Sequence, residues 1–123
     1  MKTLLTLLVA GLLSLPLAAS AEVRLLMAEE HGCTWCARWN AEIAHIYPKT
    51  PEGRAAPLER FDLHSETPEG VTLASRVRFT PTFILVRDGA ELGRIEGYPG
   101  EDFFWWLLTK LLDDAEIPLD TTG

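Results

Sequence analysis

Cysteine is scarce in this chain, with two among 123 residues, Cys33 and Cys36. A lone pair cannot supply the several widely spaced bridges on which small exported scaffolds rest. A bond between Cys33 and Cys36 would close a loop too short to restrain the unfolded chain appreciably. Positive charge is also short, 11 Lys and Arg against 18 Asp and Glu, for a net charge of −7. That balance argues against partners that need a basic footprint, namely nucleic acid and anionic membrane surfaces. Long apolar runs are missing as well. The longest, Leu4 to Leu17, is broken by Thr6, Gly11, Ser14 and Pro16 and falls short of the roughly 20 apolar residues of a membrane span.

What that run does have is the layout of an export signal. Lys2 precedes it, and Ala19-Ser20-Ala21 offers a peptidase the small side chains it cuts after. Met1 to Ala21 is therefore expected to be a cleaved signal peptide, with an uncleaved anchor as the alternative. Residues 22 to 123 then form one domain. Without Lys2 it carries 10 basic and 18 acidic side chains, a net charge of −8.

The pattern along that domain predicts an α/β fold. Val23 to Ala28 reads as a strand, and Cys33 to Tyr47 as a helix with Cys36, Trp39, Ile43, Ile46 and Tyr47 on its buried stripe. Pro48 stops that helix. Lys49 to Pro57 reads as loop, with at most one helical turn opened by Thr50 and Pro51. Leu58 to Leu63 is a second strand, and His64 to Gly70 a polar connection. The tetrapeptide Thr-Pro-Glu-Gly occurs at 50–53 and 67–70, too short for a repeat but suited to helix entry, so Val71 to Val77 is expected to be a short helix. Thr82 to Arg87 is a central strand. Asp88-Gly89 signals a hairpin, and Glu91 to Glu96 returns antiparallel. Gly97 to Gly100 is loop. Glu101 to Leu112 is the last helix, with Phe104, Leu107, Leu108 and Leu111 as its stripe and Trp105 expected to face out. The order βαβα then ββα implies a mixed sheet with helices on both faces.

The two thiols carry the chemistry. Cysteines three apart at a helix start lie on neighbouring positions of one face, near disulfide geometry. Free N–H groups at the helix end stabilise a thiolate, so Cys33 is the expected nucleophile and Cys36, on the buried stripe, the resolving thiol. Arg38 adds positive potential, which Glu29 and Glu30 oppose if they point the same way. Haem attachment would need a histidine where Ala37 stands. Zinc would need four ligands, and only His31, His45 and His64 remain as candidates. Cu(I) delivery through the two thiolates and His31 stays open as the competing reading. His31 reads as a solvated loop residue or a tuner of Cys33, and His45 and His64 as surface residues. Trp35, between the cysteines, either meets the target or packs over the disulfide.

GCTWC after a strand, followed some forty residues on by FTPTFILVRDGAELGRIEGY, resembles the thioredoxin superfamily. The resemblance implies a minimal thioredoxin fold (βαβ-ββα), a mixed four-stranded sheet flanked by helices. It implies that Thr80–Pro81 is cis and that Thr80 and Pro81 bind substrate backbone beside the disulfide. Gly97 matches a glycine lining the same groove. Many family members carry a buried aspartate six residues before the first cysteine, where this chain has Met27, so another base or water must serve the resolving thiol. The family's extra N-terminal strand and helix are also missing from the pattern.

The runs CARWNAEI, YPKTPEGRAAPL and EGYPGEDFFW look like the small periplasmic thioredoxins of bacterial sulfur-oxidation (Sox) gene clusters. That likeness implies a periplasmic thiol–disulfide oxidoreductase, a monomer without metal or organic cofactor. Its expected partners are a protein with a reducible disulfide, such as the pathway's sulfur-carrier protein, and a membrane thiol-electron transporter as reductant. A general disulfide oxidase or isomerase is the alternative within redox chemistry.

Overall fold

The computed structural model describes Ser14 and residues 21–123; the rest of the expected export segment lies outside the described residues. β1 (Val23–Glu29) leads through a tight turn into α1 (Thr34–Trp39). The helix widens into a π-helical stretch (Asn40–Ala44) and ends in a 3-10 turn (Tyr47–Lys49). α2 (Pro51–Ala55), β2 (Leu58–Asp62), β3 (Thr82–Arg87), β4 (Ala90–Glu96) and α3 (Glu101–Asp114) follow. The single helix expected over residues 33–47 is thus broken in two, and Pro48 sits inside the closing 3-10 turn instead of stopping an α-helix.

The sheet order is β2-β1-β3-β4. β1 pairs parallel with β2 and antiparallel with β3, and β3 pairs antiparallel with β4. Leu25, Leu26, Met27 and Ala28 are all buried without alternation, as are Phe83, Ile84, Leu85 and Val86. Unbroken burial along two central strands means that both sheet faces are covered. Asp88 and Gly89 both take positive φ, 51° and 81°, the conformation a two-residue hairpin demands and the reason for this dipeptide.

One face carries the main core. Leu25, Met27, Phe83 and Leu85 meet Trp39 and Ile43 from the first helical segment and Phe104, Leu108 and Leu112 from α3. Trp39 is at its centre, 5.2 Å from the Phe83 ring and 5.7 Å from Phe104. Removing so large a buried ring costs about 3–5 kcal/mol in comparable cores.

The other face corrects the expectation of helices on both sides. Leu26, Ala28, Ile84 and Val86 pack against Phe61, Leu63, Val71, Leu73 and Val77, and no helix contributes. Val71–Val77 is not helical. Thr72 forms an isolated parallel bridge with Ala90, and the Glu91 carboxylate and Arg94 guanidinium bond the backbone at Ala74, Ser75 and Arg76. These contacts draw the segment out along β4, which outweighs the weak local preference for a turn of helix.

Two details of α3 also differ from the pattern. Leu112 is fully buried, while Leu107 and Leu111 are only partly so. Trp105 faces inward, stacked on Tyr47 at 6.0 Å with planes 11° apart. Phe103 and Trp106 are the exposed rings, at 64% and 61%.

Candidate active site

The site begins at the C-terminal end of β1. Gly32 takes φ +78°, which lets the chain turn sharply so that Cys33 becomes the N-cap of α1. Cys33 N donates to the Glu30 carbonyl at 3.3 Å, and Ala37 N to the Cys33 carbonyl at 3.1 Å. The Cys33 sulfur accepts from Cys36 N at 3.1 Å. One of the unpaired donors of a helix start therefore points at this sulfur, an arrangement that favours negative charge on it.

Cys33 and Cys36 are joined as a disulfide with Cα atoms 5.2 Å apart. Burial separates their roles: Cys33 is partly exposed, whereas Cys36 is 4% exposed and belongs to the core around Trp39. An incoming nucleophile or disulfide reaches Cys33 first.

Arg38 does not face the sulfurs alone. Its Nε donates to Glu42 at 2.8 Å, and its guanidinium carbon lies 5.5 Å from the Trp35 ring centroid. Trp35 is half exposed and leans on Arg38. Glu29 pairs with Arg60 at 2.7 Å. Glu30 is turned to the loop before β3, where Thr80 Oγ1 donates to Glu30 Oε2 at 2.6 Å and His64 Nε2 lies 3.5 Å from Oε1. Both glutamates line the same shallow cavity as Cys33 and Cys36. His31 also lines that cavity and is exposed, as is His45.

The second wall comes from residues 79–81. The Thr80–Pro81 peptide bond is cis, Pro81 is buried, and Thr82 Oγ1 donates to the Phe79 carbonyl at 2.6 Å. Gly97, with φ +83°, donates its N–H to the Pro81 carbonyl at 2.7 Å. Thr80 is thereby two hydrogen bonds from Cys33, through Glu30, and Pro81 and Gly97 are directly bonded. Trp35 joins this group only through its place between the cysteines. Met27, fully buried, occupies the position of the family's acid, with Arg60 Nη1 3.7 Å from its sulfur.

In the sequence Glu30 stands out only as a charge opposing Arg38. Its bond to Thr80 spans fifty residues, and no local signal announces it.

Among solved structures, the periplasmic thioredoxin SoxS of Paracoccus pantotrophus, in its reduced form, is 56% identical to this chain. The match has a TM-score of 0.75 and covers 76% of this chain and 99% of that one. The chain belongs to the thioredoxin superfamily. Within that superfamily, a Cys-x-x-Cys pair at this place makes it a thiol–disulfide oxidoreductase. Fasciola hepatica thioredoxin is similar in fold alone, at 19% identity and a TM-score of 0.53, over 72% of this chain and 80% of that one. No protein-family profile matches the chain, and no curated protein does.

Proposed function

We propose that this protein is an exported reductase that reduces a disulfide on a dedicated partner protein in the periplasm. The observation that carries the reading is the likeness to a periplasmic thioredoxin, SoxS, over nearly the whole length of that relative. The expected signal segment, Met1 to Ala21, agrees with it. The sulfur-carrier protein of the sulfur-oxidation pathway is the partner we favour, with a membrane thiol-electron transporter returning electrons.

In this mechanism the Cys33 thiolate attacks one sulfur of the partner's disulfide and expels the other as a thiolate, which takes up a proton. The mixed disulfide lies against Thr80 and Pro81, with Gly97 and Trp35 lining the approach. Cys36 loses its proton and attacks the Cys33 sulfur. The partner leaves as a thiol and the Cys33–Cys36 bond closes, so two electrons pass from this protein to its partner. No metal or organic cofactor enters any step.

Trapping tests this. C36S, expressed with its export segment in the host, should accumulate one dominant adduct on Cys33 that reductant releases and that contains the sulfur carrier. Adducts with many exported proteins would instead indicate an oxidase or isomerase. A chain that forms no adduct and takes up Cu(I) tightly would be a metal carrier.

A further inference from the structure

A cavity of about 590 Å³ lies beside the second wall, on the sheet face that no helix covers. Leu63, Leu73 and Val77 supply its apolar lining, and His64, Arg76 and Arg78 its polar rim. Its rim carries two arginines in a molecule whose net charge is −7. Arg24, Arg38, Arg60, Arg94 and Lys110 are all paired with carboxylates. Arg76 and Arg78 have no carboxylate within 4.0 Å among the described residues, although Glu66 and Glu69 belong to the same connection. Glu30, beside the rim, is directed to Thr80 and His64, and Asp62 accepts from His64 N at 2.7 Å. Glu91 is directed to Arg94.

The arginine wall is also held in place. Arg94, itself paired to Glu91 at 2.6 Å, donates to the carbonyls of Ser75 and Arg76. From Arg78 the chain passes through the exposed Phe79 directly to Thr80 and cis-Pro81. An extended segment gains about 3.3 Å per residue. A target strand lying along Thr80 therefore brings a residue two to four positions from its cysteine to Arg78 and Arg76.

We infer that Arg76 and Arg78, with the cavity beside them, form a selectivity subsite for a carboxylate carried by the target segment close to its disulfide cysteine. That carboxylate is either an acidic side chain or a chain terminus. The inference rests on the reductase reading and names the chemistry of its partner. Both arginines are exposed, and contacts so open to water set the preference at about fivefold.

The test uses the reduced protein and short peptides whose single cysteine is blocked as a disulfide with neutral 2-mercaptoethanol. One set carries Glu three residues to either side of the cysteine. A second ends in a free carboxylate at that distance, and a third is neutral, with Gln and capped ends. The carboxylate peptides should be reduced about fivefold faster than the neutral one, and the comparison between the first two sets identifies the source. In R76Q/R78Q the ratio should fall to about one, and R76E/R78E should prefer a Lys peptide. Raising ionic strength should shrink the wild-type ratio, a readout that needs no variant. Equal wild-type rates, or a preference that survives R76Q/R78Q, would overturn the subsite while leaving the reductase reading intact. A protein that reduced none of the peptides would overturn both.

Discussion

Thr80 Oγ1 donates to Glu30 Oε2 at 2.6 Å, tying the turn before Cys33 to the loop that carries cis-Pro81. Neither side chain is fully exposed, so the bond is a charge-assisted one only partly open to water. T80V should cost about 1 kcal/mol in urea unfolding of the oxidised protein. It should also slow reduction of peptide disulfides more than reduction of small ones, because the wall that holds a peptide loosens. E30Q keeps an acceptor and should lose less stability than T80V. Equal losses in the two variants would show that the bond depends on the carboxylate's charge and that a neutral acceptor does not replace it.

The two neighbouring tryptophans of α3 make opposite predictions. Trp105 stacks on Tyr47 and meets Phe104 edge-on, so W105A should lose about 2–4 kcal/mol. Trp106 is mostly in solvent, and W106S should change stability by no more than about 0.5 kcal/mol. Chemical denaturation of both variants compares them directly.

Gly53 is inside α2, where a side-chain carbon would run into the Tyr47 carbonyl. That carbonyl already accepts from Thr50, whose hydroxyl in turn caps Gly53 N at 2.9 Å. Alanine is the better helix former by about 1 kcal/mol, yet the collision is with backbone and cannot be relieved by a rotamer. G53A should therefore destabilise by about 1–3 kcal/mol, read as a lower Tm.

Glu42 predicts a pH dependence. Arg38 and Tyr98 both donate to its carboxylate, and the Arg38 bond foremost holds its carboxyl below the ordinary carboxylate range. The charged form is thus favoured in the fold. Its stabilisation is present above the unfolded value of about 4.3 and is lost as pH falls through the lower folded value. Burial first, and Glu42 second, keep the Tyr98 hydroxyl protonated far into the alkaline range, so the donor persists throughout. E42Q should flatten the acid limb of the stability curve between about pH 5 and pH 3. An unchanged acid limb would remove Glu42 from that account.

Much of this was legible in the sequence, for physical reasons that also set the limits. The β1 and β3 strands announce themselves because both faces are buried and their residues are uniformly apolar. Asp88-Gly89 works as a hairpin signal because few other dipeptides tolerate two positive φ angles. Cys33 and Cys36 were legible through spacing, and Thr80 and Pro81 through likeness to a family. Val71–Val77 misled because its fate is decided by Glu91 and Arg94, which a local pattern does not contain. Trp105 misled because α3 packs on α2 and Tyr47 as well as on the sheet, which widens its buried face beyond one stripe. Glu30 was legible as a charge but not as a partner of Thr80.

The connection between β2 and β3 covers a sheet face without any regular element, held to β4 by the Thr72–Ala90 bridge and the Glu91–Arg94 clamp. Such a stretch tolerates changes of length and sequence far better than a packed helix does. The sulfur chemistry, by contrast, sits on α1, whose Cys36 is part of the core. If Arg76 and Arg78 select the target, descendants of this chain can exchange one clientele for another by rewriting residues 63–78, while Cys33, Cys36 and the Thr80–Pro81 wall are inherited unaltered.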